Sequence, residues 1–128
     1  KTVDDIDYFC FHQANNFINA YIAKKMKLDL DKIPHTIEKF GNTSSVSVPL
    51  TIVSELKGKM HGRKTLMLSA FGVGMTWATG VVSFCDTRIS EIVEVANGQP
   101  VDEYLCRDYS PIEGESEESA THPNREDQ

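Results

Sequence analysis

The apolar positions of this chain change period as they are followed from one end. Ile6–Phe11 reads IDYFCF, a short β-prone run that predicts a buried strand ending at His12. Beyond it Phe17, Ile18, Tyr21, Ile22 and Met26 recur at helical spacing, which predicts a helix over 15–27 with Asn15 or Asn16 as its cap and that stripe as its apolar face. Residues 28–42 read as a loop with a short helical turn or strand near His35–Phe40. Ser44 or Ser45 is placed to cap a second helix, in which Val46, Leu50 and Val53 form one stripe beside Pro49, Ile52 and Leu56. Pro49 is tolerable there because it falls near the first turn, and Gly58 is a suitable stop.

Two further apolar runs follow, KTLMLSAF at 64–71 and WATGVVSF at 77–84, joined by the Gly-punctuated turn FGVGMTW at 71–77. They predict two strands, antiparallel to each other. Ser90–Val95 suggests one more short element. From Asn97 onward Gly, Pro and acids dominate, the composition of a disordered segment. The order strand–helix–loop–helix–strand–turn–strand implies an α/β fold of three layers, α/β/α, around a mixed sheet. Its strands are continuously apolar and call for cover on both faces, yet only two long helices are available. Part of the covering layer is therefore expected from outside this chain. The boundaries are set as one domain over 1–88 and a mostly flexible C-terminal extension over 89–128.

Composition narrows the reading. Hydrophobic residues make up 40% and charged residues 25% of the 128, a balance typical of globular proteins. The net charge is −6, and residues 111–128 hold six acids against the single base Arg125, so the body is nearly neutral. Without a basic stripe, nucleic-acid binding has little electrostatic support. No apolar stretch reaches the ~20 residues of a membrane-spanning helix. Cys10, Cys85 and Cys106 are odd in number and widely spaced, which fits neither a disulfide framework nor a metal site and suits a reducing cytoplasm. The chain opens at Lys1 directly into KTVDDIDYFCF, which reads as an internal start.

Three stretches could carry chemistry. His12 follows a strand and precedes a helix, at the sheet edge where ligands of open α/β folds sit. Taken alone it reads instead as a strand-end histidine bonded to backbone. Asn42, in FGNTSS, is taken alone a helix-cap residue. Gly72-Val73-Gly74 is taken alone a hairpin. Cys10 lies two residues before His12 on the same pleat, with no helix N-terminus behind it to lower its pKa, and reads as a small buried hydrophobe.

Read together, FHQAN, KFGNTSS and AFGVGMTW, in this order and with the closing GVVSF strand, resemble the C-terminal half of a β-ketoacyl-[acyl-carrier-protein] synthase III of the thiolase superfamily, over roughly residues 5–85. The resemblance implies half of a thiolase-like fold and an acyltransferase working by decarboxylative Claisen condensation in fatty-acid or related polyketide biosynthesis. It implies a Cys–His–Asn triad in which His12 and Asn42 are catalytic and the nucleophilic cysteine lies in an N-terminal half. The Val73 N–H would supply a backbone oxyanion-hole donor. Gln13, Asn15, Asn16 and Phe17 would face the carrier protein or CoA, with Phe17 standing where well-studied members carry a docking arginine. Acyl-CoA and malonyl-carrier protein are the implied substrates. No cofactor or metal is implied. The implied partners are the acyl carrier protein, the N-terminal half and a second copy in a homodimer. Two rival readings stand beside this one: a non-catalytic thiolase-fold partner subunit, and an enzyme that condenses with a CoA-bound extender.

Overall fold

The computed structural model describes residues 1–74 and 76–95. Lys1–Ile92 forms one compact unit. Of the unit that follows, Val93–Gln128, only 93–95 are described, and they lie in no helix or strand. The tail expected from Asn97 onward, with its acidic residues and Cys106, lies outside the described residues.

Among the described residues the strands and α-helices are β1 (Tyr8–Phe11), α1 (Asn16–Met26), α2 (Ile37–Phe40), α3 (Ser47–Glu55), β2 (Arg63–Gly72) and β3 (Thr76–Cys85). The sheet order is β1-β2-β3. β1 runs parallel to β2 with Tyr8 opposite Leu66 and Phe11 opposite Ser69. β3 runs antiparallel to β2 from Arg63↔Cys85 to Gly72↔Thr76. The sheet is therefore mixed. At the turn into β3, Gly74 sits at φ 84°, a conformation that favours glycine, and Thr76 Oγ1 donates to the Val73 carbonyl at 2.8 Å.

The pleat sends alternate residues of β1 to opposite faces. On one face Phe9, Phe11 and Met67 pack with Ile22 and Ala23 of α1, and with Ile6, Leu28 and Ile33. On the other, Tyr8, Cys10, Leu66 and Leu68 pack with Val48 and Ile52 of α3 and with Leu56 and Met60. Three layers result, α1 over one face and α3 over the other.

The helices differ from the sequence reading in the face they bury. In α1 the buried residues are Asn19 and Ala23, with Ile18 and Ile22 half-buried. Phe17 is 78% exposed and stacks on Tyr21 one turn later, with ring centroids 6.4 Å apart. The helix approaches the sheet through its small Ala23 and through Asn19, which the apolar stripe did not include. In α3 the buried residues are Ser47 and Thr51, while Val46 is exposed. Asn15 caps α1 as the pattern predicts, its Oδ1 accepting the Ile18 N–H at 2.9 Å. Ser44 and Ser45 do not cap α3. They begin a 3-10 turn, Ser44–Val46, and the cap position falls to Val46, which contributes no side-chain bond. Residues 87–95 form no further element, in place of the short one suggested at 90–95. Ile89 packs against the α3-side core and Glu91 pairs with Lys57.

Candidate active site at the carboxyl end of β1

His12 continues β1 past its last residue, its N–H donating to the Ser69 carbonyl at 2.8 Å. The ring is held from two sides. Nδ1 lies 2.5 Å from Ser47 Oγ, on the first residue of α3. The ring also meets Phe71 edge-on, with centroids 5.1 Å apart and planes at 82°. Nε2 is left without a partner among the described residues.

Asn42 comes from the loop between α2 and α3. Its Oδ1 accepts the Ser44 N–H at 2.9 Å, a local turn typical of Asn. Ser44 sits at φ 55° inside that turn, an uncommon conformation for a residue with a Cβ. With Oδ1 occupied, the Nδ2 amide group is the free end of the side chain. His12, Asn42, Gly72 and Val73 line a single open cavity of about 610 Å³, with Ser47 and Phe71 in its wall. That volume lies within the ~300–1,000 Å³ of small-molecule sites. Three stretches that are unremarkable alone are thus brought to one cavity at a strand's carboxyl end.

Behind the cavity lies a chain of buried polar groups that the sequence reading missed. Ser47, Thr51, Thr36, Gln13 and Asn19 are all buried. Thr51 Oγ1 donates to the Ser47 carbonyl at 2.8 Å and lies 2.7 Å from Thr36 Oγ1. The Thr36 N–H donates to Gln13 Oε1 at 3.1 Å, and Gln13 Nε2 donates to the Phe11 carbonyl at 2.9 Å. Asn19 Nδ2 donates to the His12 carbonyl at 3.2 Å, while its Oδ1 is buried without a partner. The one legible signal was the placing of hydroxyl residues at 47 and 51, one turn apart on a helix otherwise rich in apolar residues.

Gln13 corrects an expectation. It does not face a carrier protein or CoA: it is fully buried, because its amide ties the end of β1 to the loop before α2. Asn15, Asn16 and Phe17 are exposed at the start of α1, with Asn16 Nδ2 donating to Glu38 at 3.4 Å.

Neither described cysteine is placed as a nucleophile. Cys10 is fully buried among Leu56, Met60 and Leu66, and burial pushes its thiol up to about 12. Cys85 is exposed but pairs with Arg63, six residues along β2 from Ser69 and so roughly 20 Å from the His12 end of the sheet. Among the described residues no group of three or more His, Cys, Asp or Glu could hold a metal ion, and no helix is long and apolar enough to cross a membrane.

Residues 1–84 match the family model of the 3-oxoacyl-[acyl-carrier-protein] synthase III C terminal. The chain is 44% identical over 84 residues to the β-ketoacyl-[acyl-carrier-protein] synthase III of Streptococcus gordonii, covering 63% of this chain and 26% of that protein. The corresponding synthase of Staphylococcus aureus is 40% identical over 84 residues, with 65% and 27% covered. Among solved structures, the 3-oxoacyl-(acyl-carrier protein) synthase of Burkholderia xenovorans aligns with a TM-score of 0.65 at 38% identity, over 74% of this chain and 28% of that one. The chain spans about a quarter of the length of the curated relatives it matches. The fold is accordingly thiolase-like.

Proposed function

The chain belongs to the 3-oxoacyl-[acyl-carrier-protein] synthase III C-terminal family, and from that premise we propose that it is the part of a condensing acyltransferase that supplies two of the catalytic side chains. The proposed reaction joins an acyl thioester to malonyl-carrier protein with loss of carbon dioxide, in fatty-acid or related biosynthesis. The acyl group is first carried on a cysteine of the N-terminal half. Loss of CO₂ from the malonyl thioester leaves its electron pair as an enolate. The enolate carbon then attacks the acyl thioester carbonyl, and the cysteine thiolate departs.

The step that needs help is the build-up of negative charge on the malonyl thioester oxygen. Preorganised donors aimed at that oxygen stabilise the charge as it develops. His12 Nε2–H and the Asn42 Nδ2 amide are the donors in this reading. One observation carries it: each side chain has one polar atom occupied inside the protein, Nδ1 by Ser47 and Oδ1 by the Ser44 N–H, its remaining nitrogen has no partner among the described residues, and both residues line the same cavity. Neither is a strong acid that would readily protonate the nascent carbanion. The Val73 N–H is the proposed donor for the acyl-transfer steps. Since a backbone donor does not depend on its side chain, valine is acceptable at that place. Decarboxylation provides the electron pair, so the reaction needs no cofactor beyond its acyl-CoA and malonyl thioester substrates. Asn15, Asn16 and Phe17 are the positions proposed to face the carrier or CoA.

The test is reconstitution with a cysteine-bearing N-terminal part from a family member, followed by malonyl decarboxylation. His12→Ala is expected to lower the rate about 10²- to 10³-fold, the usual cost of one oxyanion donor. A fully active His12→Ala complex overturns the reading and favours a non-catalytic partner subunit. A rate that persists when malonyl-CoA replaces the carrier-bound extender would revise only the substrate.

A further inference from the structure

The contact between His12 Nδ1 and Ser47 Oγ holds a single hydrogen, and the tautomer of the ring depends on which atom owns it. The surroundings of Ser47 decide. Its Oγ already receives the Gln13 backbone N–H at 3.4 Å, and the residue is 1% exposed. Apart from His12 Nδ1, no acceptor for the Ser47 hydroxyl hydrogen is found among the described residues. Were Nδ1 protonated, the hydroxyl hydrogen of this buried residue would have no acceptor among the described residues. The cost of an unmade buried hydrogen bond disfavours that arrangement.

We infer that Ser47 is a positioning residue: its hydroxyl donates to His12 Nδ1, holds the neutral ring as the Nε2–H tautomer and fixes the direction in which that donor enters the cavity. Phe71 sets the ring plane from the other side. The support of Ser47 is itself a closed circuit. Its carbonyl takes the Thr51 hydroxyl, Thr51 meets Thr36, Thr36 donates to the Gln13 side chain, and the Gln13 N–H returns to Ser47 Oγ. A partner that orients the unreactive nitrogen of a histidine and thereby defines what the other can do is a recurring device at functional sites.

The consequence for rate rests on the donor role proposed for His12; the tautomer itself does not, and the two are tested separately. Nitrogen-15 spectra of the full chain, with the His12 ring signals assigned by their loss in His12→Gln, report the tautomer directly. With the ring neutral, the wild-type chain is expected to show a pyridine-type Nδ1 and a pyrrole-type Nε2. A pyrrole-type Nδ1 overturns the inference, and this measurement needs no variant at Ser47. In Ser47→Ala the two signals move toward tautomer-averaged values, while Ser47→Thr keeps the hydroxyl and the wild-type pattern. In the reconstituted complex Ser47→Ala lowers malonyl decarboxylation about three- to tenfold, the weight of one hydrogen bond, and Ser47→Thr restores it. Unchanged ring signals in a folded Ser47→Ala chain also sink the idea. The predicted tautomer in a chain whose His12→Ala complex is fully active would instead leave the Ser47 bond standing and remove the donor role.

Discussion

β1 and β3 are both apolar strands of one three-stranded sheet, and they end in opposite surroundings. Phe9, Cys10 and Phe11 of β1 are buried. Trp77 of β3 is 74% exposed, and Val81 and Val82 are exposed as well. The difference lies in what covers each strand. β1 has α1 packed on one face and α3 on the other, whereas of β3 only Phe84 joins a core cluster. An apolar run at strand period is thus evidence of a strand, not evidence of its cover. The same contrast explains where the candidate site lies. The strand clamped by both helices is the one whose end carries His12 into the cavity, supported from behind by residues of α1, α3 and the loop before α2.

The contrast can be broken most directly at Phe9. Phe9→Ala empties a site enclosed by Ala23, Leu28 and Ile33, and urea unfolding of the full chain is expected to show a loss of about 3–5 kcal/mol. A loss under 1 kcal/mol would show that the β1 core is not tightly packed. Cys10, on the opposite face, gives a pH test. Its thiol is raised by burial from 9.0 to about 12, so in the window between these values the unfolded chain loses this proton while the folded one keeps it. Its contribution is complete below pH 9 and is lost as pH rises through that window, at about 1.4 kcal/mol per pH unit. The readout is the difference between wild type and Cys10→Ala, which removes the common titration of lysines and tyrosines. Curves that stay parallel above pH 9 would contradict the burial of the thiol.

A smaller effect is expected from the polar circuit. Gln13→Leu puts a branched apolar side chain, one atom shorter, in the buried site and leaves the Thr36 N–H and the Phe11 carbonyl without their side-chain partner, for a loss of about 1–3 kcal/mol. A neutral or stabilising result would mean that those groups find other partners. Trp77→Ala should have the least effect, within about 0.5 kcal/mol, because the indole has so little of the fold against it. If it cost several kcal/mol instead, β3 would be covered by something and the contrast with β1 would fail.

Much of the fold was legible along the chain because strand and helix periods are local properties. The runs at 64–71 and 77–84 became β2 and β3 with one residue added at each end, and their antiparallel pairing followed from the short glycine turn between them. The stripe in 15–27 located α1 but misjudged its buried side. Phe17 and Tyr21 lie on one side of the helix and Asn19 and Ala23 on another, and nothing in a periodic pattern says which meets the sheet. The serines before α3 were misjudged for a related reason. Any of Ser44, Ser45 or Ser47 suits a helix start, and only the position of His12 shows that the third is turned toward a ring 35 residues earlier.

The candidate site divides the same way. His12, Asn42 and the turn at Val73 could be named from the order and spacing of three short motifs, because each motif is a stretch of adjacent residues. That Gln13 is buried, that Ser47 meets the His12 ring, and that Thr36 and Thr51 close the circuit behind it were decided only by the tertiary structure. The amino-acid sequence by itself determined the strands, the helices and the identity of the chemical groups, which depend on neighbours a few residues apart. The direction in which each side chain faces and the partner that occupies it depend on contacts between residues far apart in the chain. A buried hydrogen bond is specified by both of its ends at once.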